Sequence, residues 1–480
     1  MDFTIDRETV AKFDIPGPRY TSYPTAPVWS TDVNAAVYTE RLAAFGRTHG
    51  KTLSLYIHIP FCRSLCAYCG CSVVIREQDE RFGDEYIEYL FKEMELVHRA
   101  IGGPPNGEAR PKGGALGGRP RVRQLHWGGG TPTFLNEAQI ERLYKGTLKY
   151  FDVDQGGEVA IEIDPRTIDR SKIQKLRALG FNRVSMGVQD FSEDVQKAVN
   201  RYQPYGIVKE LNDWCREVGF ASVNFDLIYG LPKQTPESFS ATVEKVIALR
   251  PERVALYSFA YVPWIKRHQR KIDGFLLPSG DVKLDIFLRA RERFLESGYK
   301  AIAMDHFALA DDELAKAFES GTLYRNFMGY TVKPADEYIG LGVTSIGFLE
   351  NTYAQNEKAL PAYYAALDAG RLPVERGKVL TDDDRARQWT INSLMCRFSV
   401  DKRAFAGKFG VDFDGYFQEE QEHLRWCVDN NLIRQDSGRV DVLELGKIFI
   451  RNVCMGFDHY LKQGLPAGRQ GAQQKFSRTV

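Results

Sequence analysis

The sequence predicts an α/β fold, an incomplete TIM-like (β/α)6 barrel with an N-terminal arm and a mostly helical C-terminal domain. Two observations predict it. Six short β-type runs recur at similar intervals, and segments of helical period separate them. Strand and helix alternating at this spacing mark parallel βαβ units, and strands buried on both faces account for the nearly continuous apolar character of the runs. Six units fall short of the usual closed barrel of eight.

The elements follow in chain order. Residues 1–50 form an arm containing PGPRYTSYPT, rich in Pro, Tyr and Thr and without helical period, which is expected to cover the active site. The barrel is expected over 51–302. LSLYIHIP (53–60) precedes the helical EYIEYLFKEMELVHRA, VRQLHWG (122–128) precedes EAQIERLYKGTLKYF, and VAIEIDP (159–165) precedes SKIQKLRALG. RVSMGVQ (183–189), VNFDLIYG (223–230) and RVALYSFA (253–260) continue the series, with SEDVQKAVN, YGIVKELNDWCREVG and PESFSATVEKVIALR as helical segments between them. GGPPNGEARPKGGALGGRP (102–120) has scarcely an apolar side chain to bury and reads as a flexible insertion. GLPAGRQG (464–471) interrupts the C-terminal tail in a similar way. Residues 303–374 read as a linker region, and 375–480 as a small, mostly helical, winged-helix-like domain.

Composition narrows the function. The chain has 480 residues, length for about three domains and a sizeable core. Its 64 basic and 63 acidic residues leave a net charge of +1, which removes any global electrostatic case for a nucleic-acid partner. Asp2, Asp6, Arg7 and Glu8 stand where a secretory signal needs an apolar run, and no uncharged stretch approaches the ~17 residues of a membrane helix. A cytoplasmic protein with no membrane partner is expected. Four of the eight cysteines fall between positions 62 and 71, and in a reducing compartment such crowding reads as metal ligation or redox chemistry.

The crowded string is FCRSLCAYCGC, with Cys62, Cys66, Cys69 and Cys71 spaced C-x3-C-x2-C-x-C directly after the first strand. A barrel builds its active site from the loops that leave the C-terminal ends of its strands. Three thiolates in one loop can ligate three irons of a 4Fe-4S cluster and leave the fourth open to a ligand bearing an amine and a carboxylate, such as S-adenosylmethionine. Four nearby cysteines also suit a structural zinc. Zinc sites usually pair two C-x2-C knuckles separated by roughly fifteen or more residues, and no second knuckle is present.

Other strand ends carry polar groups. The second ends in HWGGGTPTFL, where Gly128, Gly129, Gly130 and Thr131 let the backbone approach a ligand or form a tight turn. The third carries Glu162, the fourth Gln189 and the fifth Asp226; such groups are costly in apolar strands unless paired or facing a site, and three at one barrel mouth favour a cofactor pocket. Arg201 offers bidentate bonds to a carboxylate or a structural ion pair. His58 and Tyr56 precede the cysteines; the histidine reads equally well as a strand residue bonded to a carbonyl, and the tyrosine as a core aromatic.

The C-x3-C-x2-C spacing, with Tyr68 before the third cysteine, resembles the radical S-adenosylmethionine superfamily. PGPRYTSYPT, YIHIPFC, CAYCGC, HWGGGTPTFL, IEIDPR, FNRVSMGVQDF, VNRYQ, DLIYGLPKQT, AMDHFA, NFMGYT and GLGVTSIG together resemble, within it, the family of oxygen-independent coproporphyrinogen III dehydrogenases over nearly the whole chain. The resemblance implies oxidative decarboxylation of coproporphyrinogen III to protoporphyrinogen IX in heme biosynthesis, by a 5'-deoxyadenosyl radical from S-adenosylmethionine cleaved at a 4Fe-4S cluster. No side-chain acid or base is expected to carry the chemistry. It implies Cys62, Cys66 and Cys69 as cluster ligands and two bound S-adenosylmethionine molecules. The first would lie near Tyr56, Gly129, Glu162 and Arg201, and the second near Tyr68, Gly130, Thr131, Gln189, Asp226, Ala260 and Ile346. Tyr68 replaces the phenylalanine of the family pattern, and the runs at 102–120 and 464–471 are not part of that pattern.

Cys71 is then the spare thiol, because a fourth ligand would leave no iron for S-adenosylmethionine; it and His58 are accessory candidates. A tetracarboxylate substrate needs cations at its rim, and Arg19 of the arm is the first candidate, against the alternative of an ordinary surface arginine. An electron donor such as flavodoxin or ferredoxin, an unidentified electron acceptor and a monomeric state complete the expectations. A heme-trafficking relative keeps the barrel and three cysteines but lacks the PGPRYTSYPT arm and the fourth cysteine, both found here. A nucleic-acid-modifying radical enzyme needs a basic tract or an aromatic-interleaved basic face, which the sequence does not supply.

Overall fold

Each of the six apolar runs forms a strand in the computed structural model, which describes residues 7–48, 50–77, 79–103, 119–332, 335, 337–463 and 476–479. The strands are β1 (Leu53–Ile59), β2 (Arg121–Gly129), β3 (Asp152–Ile163), β4 (Arg183–Gln189), β5 (Ser222–Tyr229) and β6 (Arg253–Ser258). Each pairs in parallel with the next. Two helices, α1 (Arg7–Phe13) and α2 (Ala35–Arg47), precede them. The crossovers contain α3 (Glu80–Ala100), α4 (Glu137–Tyr150), α5 (Arg170–Leu179), α6 (Glu193–Ala198), α7 (Tyr205–Glu217) and α8 (Pro236–Leu249). Their starts are fixed by local chemistry: Asn136 and Gln139 close a capping box on α4, and Thr235 and Ser238 close one on α8.

Strand alternation sorts the side chains. On β1, Leu53, Leu55, Ile57 and Ile59 share one face and are fully buried, whereas Ser54, Tyr56 and His58 share the other. This second face meets Gln124 and His126 of β2, so polar residues accumulate on one side of the sheet and aliphatic ones under the helices.

The sheet extends beyond the six units. The helix α9 (Gly280–Glu296) leads to β7 (Tyr299–Ile302) and β8 (His306–Leu309), and β8 lies antiparallel between β6 and β7. After α10 (Glu313–Glu319), β9 (Glu337–Leu341) pairs in parallel with the free side of β1. Antiparallel pairing then adds β10 (Ile346–Leu349), β11 (Thr352–Asn356) and, after α11 (Leu360–Asp368), β12 (Val374–Val379). The twelve strands run in the order β12-β11-β10-β9-β1-β2-β3-β4-β5-β6-β8-β7. Residues 303–374, expected as a linker, therefore build both flanks of the sheet. Their strands are short and partly joined without helices, so they lack the βαβ rhythm that identified the first six.

The arm also departs from expectation, because it contains α2, with Tyr38, Leu42 and Phe45 buried along one face. Its first part is tied to the far end of the chain. Tyr20 donates to Asp458 at 3.1 Å, Arg478 bonds Asp14 at 2.6 Å, and the Phe13 ring lies 4.8 Å from that of Phe449.

The C-terminal region begins with α12 (Asp382–Arg397) and contains helices Lys402–Phe409 and Gln421–Asp429. A three-stranded antiparallel sheet joins β13 (Ser399–Asp401), β14 (Ile433–Gln435) and β15 (Arg439–Val442), with β15 in the middle. Phe405 anchors this unit against Phe409, Phe413 and Phe417. Residues 104–118 and 464–475 lie outside the described residues, and with them most of the expected insertion at 102–120 and the run at 464–471. No described helix is long and apolar enough to cross a membrane.

Candidate active site

Polar residues on the inner face of the sheet satisfy one another in layers. In the lower layer Ser54 donates to Gln124 at 2.9 Å, and Gln124 donates to Glu158 at 3.1 Å. In the layer above, His126 lies 3.2 Å from Glu162, and the Gly129 N–H donates to the same carboxylate at 3.1 Å. Across the sheet, Asp226 accepts from Ser185 at 2.8 Å and Asn224 at 2.9 Å. Burial pushes Glu162 up, but the bonds from His126 and Gly129 outweigh it and hold the carboxyl below its ordinary value. At Asp226 burial wins over its two donors and raises the group to about 6.

The cysteine loop closes over this upper layer. Phe61–Cys62 pairs with Val74–Ile75, which draws the two ends of the loop together. Inside it, the Ala67 N–H donates to Val199 O at 2.9 Å and the Cys69 N–H to Cys66 O at 3.1 Å. His58 holds the far end. Its Nε2–H donates to the Ser72 carbonyl at 3.1 Å, which leaves Nδ1 to accept from the Tyr56 hydroxyl, also at 3.1 Å. Burial lowers the His58 pKa and favours this neutral form.

The segment following β6 bonds the same loop from outside. Lys266 donates to Cys71 O at 3.1 Å, His268 to Cys69 O at 2.8 Å, and Gln269 to Tyr68 O at 3.3 Å.

All four cysteines, Cys62, Cys66, Cys69 and Cys71, line a single cavity of about 280 Å³, and Cys71 is the exposed one. Cys62 Sγ lies 3.2 Å from the Thr131 hydroxyl. Burial pushes the Cys62 thiol up to about 11. Cys69 is hydrogen-bonded to Cys71, which lowers Cys69 and raises Cys71. Cys66 faces Arg201 at 3.7 Å and Arg166 at 4.0 Å, and both arginines bond Asp164.

The glycines after β2 have partners within the protein. A Cβ on Gly128 would stand 2.7 Å from the Glu162 carboxylate, one on Gly129 2.6 Å from the His58 ring, and one on Gly130 2.6 Å from Pro60 O. Gly129 also has φ +117°, in the region that favours glycine. The run is thus required by the packing of Glu162, His58 and the start of the cysteine loop, in addition to any approach by a ligand.

The residues fit the cofactors expected from the sequence. A mononuclear zinc site gathers its ligands around one point, and among the described residues no three His, Cys, Asp or Glu side chains are gathered in that way. Thiolates of a 4Fe-4S cluster each hold a different iron of one body, and the thiols of this loop line one cavity. The remaining lining supplies acceptors for a cofactor bearing an ammonium group, hydroxyls and an amino-purine. Glu162 and Asp226 face the cavity, and the buried Gln189 Oε1 has no hydrogen-bond partner among the described residues. Gln189 is further held at φ +66°, an uncommon backbone for a non-glycine residue.

Of the residues named from the sequence, Gly129, Glu162 and Arg201 line this cavity, as do Tyr68, Gly130, Thr131, Gln189 and Asp226. Tyr56 lies immediately below, stacked on His126 with ring centroids 5.9 Å apart. Ala260 reaches the site through its carbonyl, which accepts from the Gln269 amide that also bonds Tyr68 O. Ile346 is not among the lining residues; it packs with Trp29, Tyr338, Tyr353 and Leu380. Arg19 turns inward and donates to Ser258 O at 2.5 Å at the end of β6, so the alternative of an ordinary surface arginine does not hold.

Sequence reasoning missed Asp164, Arg166, His126 and the segment 266–269. Asp164 was visible in principle, because it continues, one residue past β3, the alternation of Glu158, Ala160 and Glu162. The contacts from 266–269 left no sequence signal, since they run from side chains to main-chain carbonyls.

Comparison with known proteins follows this geometry. The model of the radical SAM superfamily matches residues 56–246, and that of the HemN C-terminal domain matches 380–449. The oxygen-independent coproporphyrinogen III oxidase of Escherichia coli K12 is 42% identical over 475 residues, covering 99% of this chain and 98% of that protein. The protein of the same name from Pseudomonas aeruginosa is 41% identical over 477 residues, again covering 99% and 98%. A solved structure described as coproporphyrinogen III oxidase (HemN) from Escherichia coli, a radical SAM enzyme, superimposes with a TM-score of 0.87 at 40% identity, covering 96% of this chain and 100% of that one.

Proposed function

Because the chain belongs to the family of oxygen-independent coproporphyrinogen III oxidases, which are radical SAM enzymes, we propose that the cavity under its cysteine loop is where propionate side chains of coproporphyrinogen III become vinyl groups. The activity is the oxygen-independent conversion of coproporphyrinogen III to protoporphyrinogen IX in heme biosynthesis, and the cofactors are a 4Fe-4S cluster and S-adenosylmethionine. The observation that carries the placement is the convergence of Cys62, Cys66 and Cys69 with Glu162, Gln189 and Asp226 on one cavity.

When bound, these cofactors supply the one-electron chemistry that removes a hydrogen from the propionate β-carbon. The protein binds, orients and shields. Cys62, Cys66 and Cys69 hold the cluster, and Cys71 stays free. Tyr56, Gly129, Glu162 and Arg201 serve a first S-adenosylmethionine, and Tyr68, Gly130, Thr131, Gln189 and Asp226 a second, with Ala260 and Ile346 as outer contacts. Neutral His58 acts as a positioning residue, because it fixes Ser72 and the Tyr56 hydroxyl together. Asp164 acts likewise on Arg201, which keeps a cation behind Cys66.

A porphyrinogen requires a broad apolar face and cations for its carboxylates. A groove of about 970 Å³ between α1, the segment after β6 and the residues near 478 offers Phe259, Tyr261 and Trp264 as its apolar wall. Lys283 and Arg478 line it, and Arg19 and Arg451 line an adjoining smaller cavity. The carboxylates lining these two cavities are Asp14, Asp281 and Asp305, and Asp14 is already bonded by Arg478. Burial, with Arg19 nearby, lowers Lys283 to about 7 and Arg451 to about 9. We assign the substrate's rim carboxylates to this group, Arg19 included. Phe259 and Tyr261 also belong to the apolar cluster that contains Ala67 and Tyr68, which sets this groove beside the cysteine loop. A low-potential electron donor such as flavodoxin or ferredoxin, a separate electron acceptor, and action as a cytoplasmic monomer complete the reading.

The test is anaerobic reconstitution of the cluster followed by mass analysis of the product formed with S-adenosylmethionine and a reductant. Loss of two carboxyl groups per porphyrinogen is expected. Tight heme binding without decarboxylation of the substrate would instead favour the trafficking relative.

A further inference from the structure

Between β6 and α9 the chain places an exposed basic and aromatic patch directly on the cysteine loop. Its inner side is the set of bonds from Lys266, His268 and Gln269 to the carbonyls of Cys71, Cys69 and Tyr68. On the outer side Ile265 is 52%, Phe275 100% and Leu276 41% exposed, beside exposed Arg267, Arg270 and Lys271. Residues 265–276 carry four basic side chains, Lys266, Arg267, Arg270 and Lys271, against one carboxylate, Asp273, in a chain whose overall balance is +1. Among the described residues, none of these four cations pairs with a carboxylate; Lys266 and Arg270 bond main-chain carbonyls instead. Large apolar side chains left exposed within a ring of cations are the composition of a docking site, because the apolar centre is dehydrated on contact and the cations steer a partner of opposite charge.

Position selects the partner. We propose that residues 265–276 form the docking surface for an acidic, one-electron-carrying protein that reduces the cluster. This rests on the functional reading above, in which Cys69 is a cluster ligand. One electron leaves the reduced flavin or iron–sulfur group of the carrier and enters the cluster, with no bond or proton exchanged. His268 spans from the patch to the Cys69 main chain, so a carrier seated here stands one side chain from a ligand of the cluster. An anionic lipid surface would also favour basic and aromatic side chains, but its binding would give no reason for the patch to be bonded to the cysteine loop.

The experiment uses a flavodoxin as probe and the double variant Arg267→Glu/Lys271→Glu, with Phe275→Ala as a second variant. None of the three residues bonds the cysteine loop. Affinity for oxidised flavodoxin is measured by calorimetry at low and high salt, a reading that does not depend on cluster loading. The wild-type chain should bind at low salt and weaken as salt rises; the double variant should bind at least about tenfold more weakly with little salt dependence, and Phe275→Ala should weaken binding at both salts. In cluster-loaded protein, reduction by flavodoxin hydroquinone should slow in parallel, while reduction by the small, photoreduced 5-deazariboflavin stays unchanged. Failure of the wild-type chain to bind flavodoxin, unchanged affinity and salt dependence in the double variant, or binding to anionic vesicles in place of the flavodoxin overturns the proposal. Failure to assemble a cluster would instead count against the functional reading and leave the affinity arm to decide this one.

Discussion

Arg201 donates to Asp164 at 3.0 Å with both side chains only 9% exposed, and the same nitrogen lies 3.7 Å from the Cys66 sulfur. Asp164 also receives Arg166 at 2.6 Å, so one buried carboxylate orients two guanidinium groups behind a candidate cluster ligand. Removing that carboxylate strands buried positive charge. Asp164→Ala should lower stability by about 3–5 kcal/mol, the usual cost of breaking a buried pair from one side. Urea denaturation of the cluster-free chain measures it, and Asp164→Asn, which keeps the shape and one acceptor, should lose less. Equal stability of Asp164→Ala and wild type would remove this pair from the account.

The glycines near the site divide sharply. Gly129→Ala forces a side chain into positive φ and against the His58 ring, and should abolish cluster assembly or soluble expression. Gly70, between Cys69 and Cys71, has nothing within 4 Å of its missing Cβ. Gly70→Ala should retain iron and sulfide. Iron analysis of the two variants side by side checks the contrast, which fails if both behave alike.

Lys283 gives a pH signature. Burial, with Arg19 and Arg451 adding to it, lowers its folded pKa from 10.5 to about 7. Between those values the unfolded chain holds a proton that the folded chain has released, so this group makes stability rise with pH from about 7 towards 10.5, and its penalty is complete below 7. Lys283→Met should raise stability at neutral pH and flatten that rise, as read by denaturation at several pH values. A carboxylate arriving beside Lys283 should restore its charge. Binding of the substrate, or of coproporphyrin as a stable stand-in, should therefore take up a proton at pH 8, measured by calorimetry in buffers of different ionisation enthalpy. The uptake should vanish in the Met variant.

How far the sequence led depended on the kind of interaction. The six barrel strands were legible because each is a largely apolar run set between segments of helical period. The strands from 306 to 379 were not, since strands of at most six residues, partly in antiparallel hairpins, carry neither that rhythm nor long apolar runs. Helix α2 was hidden by the Pro- and Thr-rich string before it, although Tyr38, Leu42 and Phe45 hold helical spacing. At the site, the cysteines were legible from spacing, and Glu162, Gln189 and Asp226 from being polar in apolar strands. Asp164 and Arg166, two residues apart just after β3, escaped because what ties them to the site is Arg201, which follows α6, and Cys66 of the cysteine loop, contacts that only folding creates. Gly128 to Gly130 were legible as a ligand approach, yet their close neighbours are Glu162, His58 and Pro60.

The central claim is that three of the four clustered cysteines hold a 4Fe-4S cluster with one iron left for S-adenosylmethionine. The most direct measurement is iron and sulfide content, with the EPR spectrum of the reduced cluster before and after adding S-adenosylmethionine, in the wild type and each Cys→Ser variant. Wild type and Cys71→Ser should both contain the cluster and show a spectrum that changes on adding S-adenosylmethionine, whereas Cys62→Ser, Cys66→Ser and Cys69→Ser should contain none. Loss of the cluster in Cys71→Ser with retention in Cys69→Ser would contradict the account.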